Sequence, residues 1–328
     1  MTTTLITGGL GFIGSTICDE LLKKNYSSKC ILVDNFGGYM NPIKEGFVDF
    51  RKQRFKSLKN IVIERCDTSN YKALSSIINK YKPKYIYHTA ALPLAKVSNL
   101  NNDEAKISSV DSTVNIIDAI NLVKNSNKNF KFERFIYFSS SMIYGDFKKS
   151  IVTENSEKNP KDSYGIMKLA GEIVTEGLCR LHNIPYTIIR PSAVYGPKDM
   201  NRRVSQIFIE NAFKKKTIFI QGKKEKLDFT YIKDLASGSI LAARHKRGAN
   251  EIFNLTCGKG QSLFTYVSYL KSEFPNLKYV IKKRDKSKPS RGTLSIQKAK
   301  KLLGYKPKYN LRDGLKEYIK FLKKNYQN

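Results

Sequence analysis

The chain has 328 residues, 41% of them hydrophobic, and its 59 basic side chains outnumber 28 acidic ones for a net charge of +31. That is enough apolar material for one large or two medium domains, and no apolar run is long enough to cross a membrane. Three histidines and five scattered cysteines without a CxxC spacing argue against a His/Cys metal site and a disulfide framework, and for free thiols in a reducing cytoplasm.

The first residues run into a strand-like TTTLIT segment without the zones of a secretory signal, so a cytoplasmic protein is expected. The basic runs, such as Lys214-Lys215-Lys216, Lys223-Lys224 and Lys282-Lys283-Arg284, are short and dispersed. They read as solvated faces that help draw in an anionic substrate, with no nucleic-acid or membrane partner.

Leu5-Ile6-Thr7 reads as a first strand, followed by a glycine turn and a helical pattern from Phe12 to Lys24. Apolar runs at Cys30–Val33, Ile61–Glu64, Tyr85–His88, Arg134–Phe138 and Tyr186–Ile189 follow, alternating with amphipathic stretches such as Tyr71–Tyr81. This alternation predicts an α/β protein with a Rossmann-type, doubly wound parallel sheet. Residues 35–60 form a long polar insertion. After Pro191 the elements shorten, with loops at Gly196-Pro197, Gly222 and Cys257-Gly258-Lys259-Gly260. Residues 1–190 are therefore expected to form the nucleotide-binding domain and 191–328 mainly a smaller C-terminal α/β substrate lobe, with segments within 217–255 returning to the main sheet.

The turn Thr7-Gly8-Gly9-Leu10-Gly11-Phe12-Ile13-Gly14 lies between a strand and a helix. Glycines there let the backbone approach a pyrophosphate, and the helix start offers free N–H groups. An acid, Asp34, follows about 20 residues on, as a dinucleotide fingerprint requires. A carboxylate at that place binds the ribose 2′-OH and repels a 2′-phosphate, so the expected cofactor is NAD.

Tyr164 and Lys168 stand at i and i+4 of a helical stretch that follows the cap region Lys161-Asp162-Ser163, so phenol and ammonium share one face. A free tyrosine titrates near ~10. A neighbouring ammonium and a positive nicotinamide ring would favour the phenolate, making it a base for a sugar hydroxyl. Ser139-Ser140-Ser141, at the end of the fifth apolar run, offers hydroxyls to bind the reacting oxygen.

Together these segments resemble the NAD-dependent epimerase/dehydratase family, the extended short-chain dehydrogenases that act on nucleotide sugars. The resemblance runs through TGGLGFIGS, VDN at Asp34, CD at Asp67, YHTAA at His88, FSSSMIYGD at Ser139, YGIMK at Tyr164, RPSAVYGP at Arg190, DFTYIKDLASG at Asp228 and KAKKLLGYKP near the C-terminus. It implies that Gly8, Gly11, Phe12, Ile13 and Gly14 line the pyrophosphate, that Asp34 holds the adenosine ribose with Asn35 beside it, and that Asp67 and Thr68 flank the adenine. Ala90 and Ala91 would pass along the cofactor, with Ser139, Pro191 and Val194 near the nicotinamide. It implies Ser140, Tyr164 and Lys168 as the catalytic set.

Departures from the family narrow the reaction. The 4,6-dehydratases carry Asp-Glu directly after the catalytic Ser/Thr; here stand Ser141 and Met142, and neither moves a proton at neutral pH. The 3,5-epimerase/reductases carry Cys at the Met142 position and His at Lys198, and both are missing. Leu227, preceded by Lys226, replaces an Arg that many relatives aim at the diphosphate, and Ala193 replaces an Asn. Ser140, Ser141, Met142 and Tyr164 are then expected around the sugar, with Arg284 or Arg291 on the diphosphate and Arg202 and Arg203 as further candidates. The implied activity is a nucleotide-sugar 4-epimerase passing through a 4-keto intermediate, with a C4 dehydrogenase that releases the keto sugar as the alternative. The intact Ser/Tyr/Lys set argues against a non-catalytic NAD sensor, and the lack of a basic-aromatic stripe against an RNA-binding scaffold. Family members commonly pair through the helices that here span Asp103–Val123 and Ser163–Leu181. Ile107, Val110, Val114, Ile117, Leu169, Ile173 and Leu178 are apolar at helical spacing, so a homodimer is expected.

Overall fold

The computed structural model describes residues 2–37, 49–50, 53–54, 59–92, 102–286 and 288–325; most of the 35–60 insertion lies outside them. Seven parallel strands form the main sheet: β1 Thr3–Thr7, β2 Lys29–Asp34, β3 Ile61–Arg65, β4 Tyr85–His88, β5 Arg134–Phe138, β6 Tyr186–Arg190 and β7 Glu251–Asn254, in the order β7-β6-β5-β4-β1-β2-β3. Every residue of β5 and β6 is buried, which is why those runs carry no apolar–polar alternation. The edge strand β3 is half-exposed.

The helices, in chain order, are α1 Phe12–Lys23, α2 Tyr71–Tyr81, α3 Asn102–Lys106, α4 Ser112–Ser126, α5 Ser163–Leu181, α6 Val204–Phe213, α7 Ile232–Arg244, α8 Leu263–Glu273, α9 Gln297–Leu303 and α10 Leu311–Asn325. A π turn, Ile107–Asp111, joins α3 to α4. The expected continuous helix from Asp103 is thus interrupted, and the π turn sets Ile107 and Ser108 on the wall of the cleft described below. Apolar residues of α1 and α7, among them Ile17, Leu21, Leu235 and Ile240, cover one face of the sheet. Leu74 and Ile78 of α2, Ile116 and Ile120 of α4 and Cys179 of α5 cover the other.

A further core belongs to the C-terminal part. There Ile209, Ile218, Phe229, Tyr266, Leu270 and Tyr318 pack together around small two-stranded sheets, Ile218–Gln221 beside Tyr279–Lys282 and Lys226–Asp228 beside Gly260–Ser262. Glu251–Asn254 crosses back from this region into the main sheet as β7. Buried carboxylates fasten the connections. Asp234 accepts the N–H groups of Lys308 and Tyr309 at 2.9 and 2.8 Å, and Asp228 accepts from Leu294 N and the Thr256 hydroxyl. The DFTYIKD segment is therefore a structural knot.

Two contacts fix α5 against the sheet. A Cβ on Gly171 would stand 2.1 Å from the Tyr137 hydroxyl, so only glycine allows that approach. Arg190, at the end of β6, donates to both carboxylate oxygens of Glu172 at 2.8 and 2.6 Å; both residues are buried. The same guanidinium also donates to the Tyr144 hydroxyl and to Glu154 O. This satisfied, desolvated pair locks the middle of α5 to the sheet edge beside the site.

Candidate active site

The sequence order of the sheet reverses at β1, which lies between β2 and β4. The carboxyl ends of strands open a crevice at such a switch point. A cleft of about 1480 Å³ lies there, continuing between the sheet and the C-terminal part. Its lining includes all the residues expected at the site: Gly8, Gly11, Phe12, Ile13, Gly14, Asp34, Asn35, Asp67, Thr68, Ala90, Ala91, Ser139, Ser140, Ser141, Met142, Tyr164, Lys168, Pro191, Val194, Arg202, Arg203, Arg284 and Arg291.

The glycine loop is packed without room for side chains. Gly11 N donates to Gly8 O at 2.9 Å, and a Cβ on Gly14 would meet Gly8 O at 2.4 Å. Helix α1 begins at Gly11 with no side-chain cap, so its first N–H groups remain for a ligand, as a phosphate cradle demands. The Asp34 carboxylate accepts from Leu10 N at 3.0 Å and Phe36 N at 2.9 Å, which ties the loop after β2 to the glycine loop. Asn35 donates to Asp67 at 2.8 Å, and Asp67 also accepts from the Ser69 amide and hydroxyl. Burial works against the Asp67 carboxylate, but these hydrogen bonds outweigh it and hold its pKa below the usual value. The uncapped helix start, the side-chain-free loop and the carboxylate at the end of β2 fit a dinucleotide.

The reacting end lies beyond β4 and β5. Ser140 precedes the 3₁₀ turn Ser141–Tyr144, and its Oγ accepts from Met142 N at 3.2 Å. Asp162 caps α5, accepting from Gly165 N at 2.7 Å, and so aims Tyr164 into the cleft. The Ser140 hydroxyl lies close enough to the Tyr164 phenol to favour its ionised form. The Ser139 hydroxyl is buried without a hydrogen-bond partner among the described residues. Lys168 is buried; its Nζ donates to Phe138 O at 2.8 Å and lies 5.9 Å from the centre of the Tyr164 ring.

Burial raises the Tyr164 phenol above its ordinary pKa; the charge of Arg203 and the Ser140 hydrogen bond oppose that rise. Burial lowers Lys168 itself to about 7, against a smaller upward pull from Glu172. Next to it His88 is held between Thr7 and Ser112, and burial, then Lys168, lowers it to about 3.

The arginines divide. Arg284 is tied to Glu225 at 2.8 Å and to Lys288 O at 3.0 Å, and Arg202 is paired with Glu210. Arg291 reaches Met142 Sδ at 3.6 Å. The Nε of Arg203 is buried and has no acceptor among the described residues. Sequence reasoning passed over Arg54, in the polar insertion. It lines the cleft and donates to Leu10 O at 2.9 Å and to Lys198 O at 2.9 and 3.3 Å. No periodicity or motif marks such an arginine, since its partners are carbonyls far away in the chain. Phe219 and Gln221, from a strand too short to read, and Glu225, from the turn after it, also line the cleft.

Fold and site define the class as a dinucleotide-binding α/β enzyme with a Ser/Tyr/Lys set. The family model for the NAD dependent epimerase/dehydratase family matches residues 4–256, and the chain belongs to that family. It is 30% identical to a putative UDP-glucose 4-epimerase of Methanocaldococcus jannaschii, over 98% of each chain. Among solved structures it is similar to the UDP-glucuronic acid 4-epimerase of Bacillus cereus in complex with UDP-glucuronic acid and NAD, at 27% identity, TM-score 0.84, and coverage of 99% and 100% of the two chains. It is also similar to the UDP-glucose 4-epimerase of Thermotoga maritima with UDP-glucose, at 26% identity, TM-score 0.86 and the same coverage.

Proposed function

We propose that this enzyme is a nucleotide-sugar 4-epimerase that holds NAD along the glycine-loop side of the cleft and works through a transient 4-keto sugar. The carrying observation is that Ser140, Tyr164 and Lys168 line one cleft with the glycine loop, without a carboxylic acid at Ser141 or Met142. Gly8, Gly11, Gly14 and the N–H groups of Phe12 and Ile13 hold the pyrophosphate, Asp34 and Asn35 the adenosine ribose, and Asp67 and Thr68 the adenine. Ala90, Ala91, Ser139, Pro191 and Val194 border the nicotinamide, which supplies reversible hydride acceptance when bound.

Tyr164 takes the proton from the sugar O4 and later returns it. Ser140 binds that oxygen through both half-reactions. Lys168 holds the nicotinamide ribose. Because burial raises the phenol, the Ser140 hydrogen bond and nearby positive charge are what favour its ionised form. The relatives' UDP-sugar 4-epimerase names support the substrate class. Incubation with UDP-glucose, UDP-galactose, UDP-glucuronate and UDP-galacturonate, read by NMR and by cofactor absorbance, tests the reading. The expected product is the C4 epimer without net reduction of NAD. Build-up of NADH with a released keto sugar makes the protein a C4 dehydrogenase, and a product lighter by one water makes it a dehydratase.

In the same reading the protein is a homodimer that pairs through α4 and α5. Leu122 of α4 and Ile166, Ile173 and Leu181 of α5 are exposed. A Cβ on Gly177 would meet nothing within 4 Å. Ile117 is corrected from this set, since it is fully buried in the core between α4 and the sheet. Light scattering at micromolar concentration checks the mass, and a monomer rejects the dimer.

A further inference from the structure

We infer that the sugar this site accepts carries a carboxylate at C6, and that Arg203 is the residue that selects it. The inference rests on the 4-epimerase reading and deepens it.

Arg203 is the residue from which α6 starts, and its side chain lines the cleft. Its Nε is buried without an acceptor among the described residues. A desolvated guanidinium donor without an acceptor is costly. The buried Asp199 does not relieve it. Asp199 is fully buried and lies within reach of the Arg203 charge, but its Oδ1 takes Asn201 N at 3.0 Å, its Oδ2 has no partner, and no ion pair joins the two. Arg291 stands nearby as a second cation. Burial, and then the charge of Arg203, lower it to about 10. Two guanidinium groups lining one cleft form a site for an anion.

The position of the pair selects among the anions of a nucleotide sugar. Arg291 contacts Met142, whose backbone N–H donates to the Ser140 hydroxyl, and the charge of Arg203 is felt at the Tyr164 phenol. Arg291 therefore stands beside the group that works on O4, and Arg203 acts on it from the same cleft. In a hexopyranose C6 hangs from C5, the neighbour of C4, while the diphosphate hangs from C1 across the ring. A cation beside the C4 base faces C6. Arg284 and Lys288 are instead held by Glu225, Asp285 and Gln221.

The test is calorimetric binding to the NAD-loaded Tyr164→Phe protein, so that no turnover intrudes. UDP-glucuronate should bind at least ~10-fold more tightly than UDP-glucose, in line with a charged hydrogen bond. With Arg203→Met added, the ratio should fall towards unity, and Arg203→Lys should restore part of it. Equal affinity for the two sugars before the second substitution overturns the inference. So does an Arg203→Met protein that weakens both sugars and free UDP alike, because Arg203 then reads the diphosphate. If Arg203→Met does not fold, the wild-type affinity ratio still decides. Epimerisation is scored separately: turnover of UDP-glucose without a uronate preference overturns this inference alone, and no turnover of either sugar falls on the proposed function.

Discussion

The two walls of the cleft are built on opposite principles. The glycine-loop wall is mostly backbone: Gly8, Gly11 and Gly14 in one turn, an uncapped helix start, and carboxylates at the ends of β2 and β3. The facing wall is made of long side chains from distant segments, with Arg203, Arg284 and Arg291 each in a different local environment. A backbone wall is specific for a shape shared by many enzymes. A side-chain wall is shaped for a particular substrate by the identity of each of its groups.

Substitutions at the junction and on each side sharpen this contrast. The largest effect is expected at the junction itself. Tyr164→Phe should lose turnover by roughly 10²–10⁴-fold while keeping its fold and its NAD, as measured by circular dichroism and cofactor retention. Next comes the lock behind the backbone wall. Arg190→Met leaves the buried Glu172 carboxylate uncompensated and should cost about 3–5 kcal/mol in urea unfolding; a loss under 1 kcal/mol would mean that the pair does not hold α5.

Lys168→Met probes a cost hidden in the site. Lys168 titrates near 7 when folded but at its ordinary higher value when unfolded. Between those two values the unfolded chain therefore binds more protons, and stability rises with pH. Below about 7 the burial penalty is fully present. The NAD-free Lys168→Met protein should be more stable than the parent at pH 6, by an amount on the order of a few kcal/mol, and the gap should close as pH rises towards 10. A gap that stays constant with pH would show that Lys168 is charged at no cost. The smallest effect is expected for Asp34→Ala, which should narrow the preference for NAD over NADP, read as a ratio of dissociation constants. Equal affinities in the parent protein would remove Asp34 from its role.

The same contrast explains what the sequence disclosed. The glycine turn, Asp34 and the pair Tyr164 and Lys168 are close in the chain, and their spacing follows from strand, turn and helix geometry, so motif and periodicity found them. The main-sheet strands were legible because burial on both faces makes them continuous apolar runs. The two- to four-residue strands of the C-terminal part carry too few residues for a period. The state of each arginine was not legible either: Glu225 and Arg284 meet across 59 positions, and Arg54 meets Lys198 across 144. Nor does spacing record how deeply Lys168 is desolvated.

The Arg190–Glu172 lock also bears on how the enzyme fails when heated. Tyr164 and Lys168 sit two turns and one turn ahead of Glu172 on the same helix, and Glu172 is anchored to a strand buried on both faces. Such a helix has no route to fray on its own, because releasing it exposes an unpaired charge and opens the sheet together. Heat inactivation and global melting should therefore coincide, with activity, tyrosine fluorescence and helicity lost in one cooperative step.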